Sequence, residues 1–267
     1  MDKILYDKII AANIEVHEKE AKLYDIIHTF GSNWHAQTIL SNDISKIIEV
    51  APGRKACDLG CGTGNVTEKL LNAGCEVDAV DLSESMLSQL NNKVGKGGSL
   101  KVFRMNIDEF LAESAQVYDI VTIYAALHHM PNYLETISRV LNHLSPGGLL
   151  YIVDGVHRRK VNKYRVFLNR CMLRIDRMVY TSIYGNREII YNHGIDYAYS
   201  DYHCNAAGTN GLDLDKIKAL IETRGLKLVN FRTYSLGMYL GIFAMLDNMM
   251  SISRNCFRLI AKKECLG

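Results

Sequence analysis

The residues best suited to chemistry cluster at a glycine-rich turn. Ala56-Cys57-Asp58-Leu59-Gly60-Cys61-Gly62-Thr63-Gly64-Asn65 carries the short apolar run Lys55–Leu59 into a series of glycines. Glycines at such a place let the backbone turn sharply and let a ligand approach closely. A dinucleotide fingerprint needs G-x-G-x-x-G. Counted from Gly60 its third glycine falls on Asn65, and counted from Gly62 on Thr67, so both frames fail. The pattern is instead Asp58-x-Gly60-x-Gly62-x-Gly64, with an acid at the strand end. A carboxylate there would repel a pyrophosphate but can receive a cationic ligand. Asp81, 17 residues after Gly64, ends the next apolar run. That position suits a carboxylate accepting from both hydroxyls of a ribose. His128 and His129 stand side by side after a further apolar run, and imidazole is the side chain that changes charge near neutral pH.

Positioning these groups requires a regular scaffold, and the chain predicts one. Strands are expected over 54–59, 75–81, 100–106, 118–125 and 149–154, with helices after Gly64, after Ser83, over 107–114 and over 131–144. Asp81 and Ser83 are good cap types, Pro131 suits the first turn of a helix, and Pro146-Gly147-Gly148 should end it. The three prolines all fall at element borders. Strands alternating with helices imply an α/β fold with a parallel, doubly wound sheet. Upstream, Ile9, Ile10, Ile14, His17, Ala21, Tyr24 and Ile27 or His28 recur at helical spacing, and a second helix is expected over 36–50. After residue 154 the rhythm breaks. Residues 155–211 hold seven of the fifteen Tyr, nine Lys or Arg and four Asp or Glu, and read as an inserted helical lid. A helix at 213–224 and strands at 226–234 and 256–263 then complete the sheet. The expected organisation is one domain: a helical cap (1–52), a ligand-binding core (53–154), the lid (155–211) and the completing segment (212–267).

Composition excludes several classes. With 267 residues, 48% of them hydrophobic, the chain can bury a large core. A net charge of +2 leaves no broad basic footprint, so nucleic acid is not an expected partner. The start, MDKILYDKII, has no unbroken apolar h-region, and no window approaches the ~20 apolar residues of a membrane span. Seven cysteines, an odd number and never spaced as C-x-x-C, favour reduced thiols and a cytoplasmic location over a zinc site.

The order and spacing of four motifs, DLGCGTG, AVDLS, DIVTIYAALHHM and LSPGGLLYIVD, resemble the class I S-adenosylmethionine-dependent methyltransferases. The resemblance is close over roughly 50–155 and looser over 213–263. It implies a Rossmann-like sheet of seven strands in the order 3-2-1-4-5-7-6 with strand 7 antiparallel; the alternation by itself implies only a doubly wound sheet. It implies S-adenosylmethionine as cofactor and S-adenosylhomocysteine as product. Asp58, Gly60, Cys61, Gly62 and Gly64 would line its methionine end, Asp81 would hold the ribose, and Leu82 and Met86 would pack near the adenine. Asn106 stands where the family has an Asp at the adenine edge, beside Ile107. An amide oxygen still accepts from an exocyclic amine. Tyr124 and Ala125 would meet the methionine moiety through their backbone.

Methyl transfer needs an acceptor lone pair aligned with the activated methyl, and an O or N acceptor also needs its proton removed. His129, then His128, is the preferred acid–base residue, with Tyr24 facing the sulfonium or the acceptor. His28, His157, Tyr202 and His203 are candidates for contacting the acceptor, and Asp154 is a further acid–base candidate. Asp154-x-x-His157 and Asp201-x-His203 invite a metal. Metal-dependent members of the family keep an acid where this chain reads Ile123-Tyr124-Ala125-Ala126, so no metal is expected.

Two segments bear on partners. Residues 157–179 place apolar residues at helical spacing among eight Lys or Arg and one acid, Asp176. Such a helix can be a solvated lid face, clamp an acidic substrate, or rest on an anionic membrane. Residues 235–250 are eleven of sixteen apolar and could line an acceptor pocket, form a homodimer face, or be core. The expected acceptor is a small molecule, bulky and partly apolar. The alternatives are a cofactor-using enzyme with non-methylating chemistry such as cyclisation of the cofactor, and a lipid or quinone methyltransferase at the membrane surface.

Overall fold

A computed structural model describes residues 1–28, 33–95, 97–155, 163–184, 199, 203, 211–234, 242, 245–246, 249 and 256–264. Three helices open the chain: α1 (Lys3–Glu20), α2 (Tyr24–Ile27) and α3 (Trp34–Val50). Asp2 caps α1 by accepting from Leu5 N, and Asn33 caps α3 by accepting from His35 N and Ala36 N. Then come β1 (Lys55–Leu59), α4 (Asn65–Asn72), β2 (Glu76–Asp81), α5 (Glu84–Val94), β3 (Leu100–Arg104), α6 (Ile107–Glu113), β4 (Tyr118–Tyr124), a 3-10 turn (Leu127–His129), α7 (Tyr133–Asn142) and β5 (Leu144–Gly155). The lid segment contributes α8 (Lys163–Tyr184), and α9 (Leu214–Thr223), β6 (Leu226–Tyr234) and β7 (Cys256–Lys263) complete the fold.

The seven strands run in the order β3-β2-β1-β4-β5-β7-β6. The first five are parallel, and β7 lies antiparallel between β5 and β6. This is the arrangement the resemblance implies. Successive side chains on a strand face opposite ways, which is why the central strands are largely apolar on both faces. Val121 and Ile123 of β4 pack with α6, α7 and α9 through Phe110, Ile137 and Ile217. Ile120 and Tyr124 pack with α3 and α4 through Leu40, Ile44 and Leu70. Helices on both faces make the sheet doubly wound.

Several boundaries differ from expectation, three of them for an identifiable physical reason. Pro131 precedes its helix, which starts at Tyr133 after an Asn132 cap. The third strand stops at Arg104, because Asn106 turns the chain to cap α6 by accepting from Asp108 N. Pro146-Gly147-Gly148 does not end a helix. α7 stops at Asn142, and the Pro-Gly-Gly residues lie inside β5, opposite a register shift between Tyr118 and Ile120. Gly147 has φ +75° there, and a Cβ on Gly148 would sit 2.9 Å from the Ser145 carbonyl oxygen. The glycines serve an irregularity in the ladder.

One buried charge ties α3 to the sheet. Arg258 of β7 pairs with the Asp43 carboxylate, which also accepts from the Tyr151 hydroxyl at 3.0 Å. Removing one member of a buried pair strands the other. Asp43→Ala should therefore destabilise the protein by about 3–5 kcal/mol in urea unfolding; a loss below about 1 kcal/mol would show that Arg258 finds water instead.

Candidate active site

In a doubly wound sheet the ligand site lies at the carboxyl ends of the strands, where the strand order reverses. Here the reversal falls between β1 and β4, and an open cleft lies at their carboxyl ends. The glycine turn forms its floor. Gly60, Gly62 and Gly64 all have positive φ, between +52° and +84°, a region that side chains other than glycine rarely adopt. Gly60 N and Cys61 N donate to the Val80 carbonyl at 2.8 and 3.0 Å, folding the turn back onto β2. A Cβ on Gly62 would meet nothing within 4 Å, so this backbone is open to a ligand.

Asp81 organises the turn. Its two carboxylate oxygens accept from Gly62 N and Ser83 N, each at 2.9 Å. Burial pushes its pKa up, and those backbone donors together with nearby His17 oppose the rise. Asp58 lies deeper, accepting from the Thr67 and Thr122 hydroxyls at 2.6 and 2.7 Å. Burial raises its pKa to about 6, against the two threonine hydrogen bonds. Burial likewise raises the Cys57 and Cys61 thiols, so neither is a ready nucleophile. Ala125, with φ +53°, is a strained non-glycine residue at the end of β4 and lines the cleft.

The helical cap forms the other wall. Tyr6, Ile10, Asn13 and His17 of α1 and Tyr24 and Asp25 of α2 all line the cleft. Polar ties hold the cap down. Glu18 accepts from Ser83 Oγ at 2.9 Å and from both polar groups of Ser85, at the start of α5. Asp25 accepts from Thr63 Oγ1 at 2.5 Å and from Lys93 Nζ at 2.6 Å. Asn13 Nδ2 donates to the His129 carbonyl at 3.3 Å. Two buried polar atoms of cleft-lining residues, Asn13 Oδ1 and Asn65 Nδ2, have no hydrogen-bond partner. A buried orphan acceptor and a buried orphan donor each carry a desolvation cost.

Most sequence-predicted residues meet here. Asp58, Gly60, Cys61, Gly62, Asp81, Leu82, Asn106, Ile107, Tyr124, Ala125, His129 and Tyr24 line one cleft. Others take different places. Gly64 caps α4, and a Cβ on it would meet Leu90 at 2.8 Å, so its role is packing. Met86 is buried in α5 away from the cleft. Asn106 Oδ1 already accepts from Asp108 N, and its Nδ2 donates to the Tyr6 hydroxyl. His28 packs on Tyr24 at 4.2 Å and meets Glu20 at 3.2 Å. His203 is buried against the carbonyls of Met130 and Pro131. His157 and Tyr202 lie outside the described residues. Sequence reasoning passed over His17 and Asn13, whose helical spacing reads as a core face, and Asn65, which carries no local signal at all.

The two histidines divide their properties. His129 lines the cleft, while His128 does not. His128 instead has its Nδ1 2.7 Å from Asp154 Oδ1, on a carboxylate that also accepts from His128 N and Gly155 N. The His128 ring lies 3.9 Å from that of His129, which meets His17 edge-on at 4.8 Å. Three imidazoles and a carboxylate thus run from β5 to α1. Among the described residues no group of three His, Cys, Asp or Glu could hold a metal ion. Nor is any helix among them long and apolar enough to cross a membrane.

Comparison with known proteins agrees with the geometry. The methyltransferase domain family matches residues 57–150. Demethylmenaquinone methyltransferase of Lysinibacillus sphaericus is 28% identical over 200 residues, 73% of this chain and 80% of that one. Ubiquinone biosynthesis O-methyltransferase of Methylococcus capsulatus is 34% identical over 100 residues, 37% of this chain and 42% of that one. Among solved structures, the N-methyltransferase NodS of Bradyrhizobium japonicum, in complex with S-adenosylhomocysteine, superposes with a TM-score of 0.59 at 13% identity, covering 94% of this chain and 98% of NodS.

The raised pKa of Asp58 gives a pH test. Its carboxyl moves from 3.8 to about 6 on folding, so the folded state holds the proton more tightly than the unfolded chain. This contribution is full below about pH 4 and is lost as pH rises through about 6. Asp58→Asn should therefore be more stable than the wild type at pH 8 by about 1–3 kcal/mol in urea, and the advantage should vanish near pH 4. An equal difference at both pH values would contradict the assignment.

Proposed function

We propose that the chain is an S-adenosylmethionine-dependent methyltransferase that transfers the cofactor's methyl group to a small, partly apolar acceptor bound beneath its helical cap. The observation that carries this reading is the Asp81 carboxylate, held between the glycine turn and α5 at the switch point of the sheet. The cleft fits the cofactor on its own terms. Asp81 keeps lone pairs for ribose hydroxyls, and the Gly62 backbone is open. Asp58, Gly60, Cys61 and Gly62 would hold the methionine end, and Leu82, Asn106 and Ile107 the base. When bound, S-adenosylmethionine supplies a sulfonium methyl that needs no covalent enzyme intermediate.

The chain's own task is then alignment and proton removal. Closing the cap over the cleft through Glu18 and Asp25 would exclude water and fix the reactants, which is worth roughly 7–11 kcal/mol at best. Of the two cleft-lining imidazoles, His17 and His129, we assign proton removal from a hydroxyl or amine acceptor to His129, at the end of the β4 motif. Asp154 is a positioning residue: it fixes the His128 ring, and His128 braces His129 from behind. The Tyr124 phenol, its pKa pushed up by burial, stays protonated at neutral pH. For the acceptor class, both curated relatives described above are named for quinones. An apolar aromatic acceptor with an ionisable hydroxyl or an activated ring carbon agrees with a cleft walled by Ile10, Tyr24, Tyr124 and Met130.

The test is transfer of labelled methyl from S-adenosylmethionine into fractionated cell extract. Label is expected in a small-molecule or lipid fraction; label in RNA or protein, or loss of cofactor without transfer, would overturn the acceptor class or the reaction. With that acceptor, His129→Ala should lower kcat by about 10²-fold or more while the KM for cofactor changes little. Asp154→Asn should lower kcat by about tenfold and displace the pH profile. Unchanged turnover in His129→Ala would mean that alignment alone suffices.

A further inference from the structure

The lid helix α8 carries five Lys or Arg and a single acid, Asp176. That acid is fully buried. With about 100° between successive residues, Phe167, Arg174 and Met178 fall within about 40° of one another. Arg170 and Ile175 flank them, and Asp176 lies on the far side of the helix. The accessibilities follow the same wheel: Phe167, Arg170, Arg174, Ile175 and Met178 are all exposed. A second stripe repeats the pattern. Ile242, Leu246 and Met249, helical residues at i, i+4 and i+7, are exposed as well. The large apolar residues of the two stripes are 38–74% exposed. Both stripes lie in segments outside the cofactor-binding core.

We propose that the exposed face of α8 docks the protein on the surface of an anionic phospholipid bilayer. Apolar side chains and cations mixed on one helix face, with the acid turned away, are what an interfacial helix needs: the rings and aliphatic chains enter the headgroup boundary while the guanidinium groups meet the phosphates. The same composition argues against self-association, since a two-fold interface would bring Arg170 and Arg174 of two copies together. No helix among the described residues can cross a bilayer, so the contact is peripheral. The inference concerns where the protein works and does not depend on which acceptor it methylates.

Vesicle co-sedimentation of the full chain tests it. The probes are phosphatidylcholine vesicles and vesicles with roughly a third phosphatidylglycerol, at about 0.1 M and about 1 M salt. The protein should sediment with the anionic vesicles at low salt and be released at high salt. Arg170→Gln with Arg174→Gln should weaken that retention by roughly thirtyfold, and Phe167→Ser with Met178→Ser by tenfold or more. Both pairs should keep the wild-type thermal unfolding curve and cofactor affinity, because the changed side chains are exposed. Three outcomes would each overturn the proposal: no retention, retention on both vesicle types alike, or retention indifferent to both pairs. So would a lipid-free dimer that Phe167→Ser with Met178→Ser dissociates, which would make the face an interface between copies.

Discussion

The Asp81 carboxylate accepts from Gly62 on one side and Ser83 on the other, and the mouth of the cleft is built around that pair of hydrogen bonds. They hold the glycine turn at positive φ and fix the start of α5. Ser83 and Ser85 at that start are in turn where Glu18 of the cap attaches. A buried carboxylate is unfavourable by itself, as the upward pull of burial on Asp81 and Asp58 shows. The fold tolerates two of them side by side because backbone amides and threonine hydroxyls already satisfy part of each. Strain and unpaired groups gather at the same place: Ala125 at positive φ, and orphan atoms on Asn13 and Asn65.

The cap is therefore part of the binding site. α1 and α2 add little to the sheet's own core, yet they supply a wall of the cleft and polar ties to its rim. Those ties are side-chain contacts at a surface, individually weak in solvent. A cap held this way can close over ligands without being locked. The histidine row from Asp154 to His17 crosses the boundary between core and cap. Cap position and imidazole geometry are consequently coupled.

Much of this was legible in the chain. β6 and β7 match their expected spans, and β4 misses by one residue, because apolar runs bounded by breakers admit few alternatives. The strand order rested on the resemblance, since alternation does not say which strand neighbours which. Errors came from signals with two physical meanings. Glycine marks both a ligand's close approach and a positive φ; Gly62 is open to the cleft, while Gly64 serves the backbone and Leu90. Pro146-Gly147-Gly148 fits a helix stop and a ladder irregularity equally well. His17 at helical spacing looks like any core residue until the fold sets it beside Asp81 and His129. Asn65 became visible only through an unsatisfied amide, which is a property of three-dimensional packing.

The central claim, that Asp81 reads the ribose of S-adenosylmethionine, is tested most directly by calorimetric titration with S-adenosylhomocysteine and its 2′,3′-dideoxy analogue. Charge-assisted hydrogen bonds to a buried carboxylate predict that loss of both hydroxyls weakens binding by roughly 10²-fold. The same titration on Asp81→Ala should show the two ligands binding alike. Equal affinity of the wild-type protein for both ligands would contradict the account.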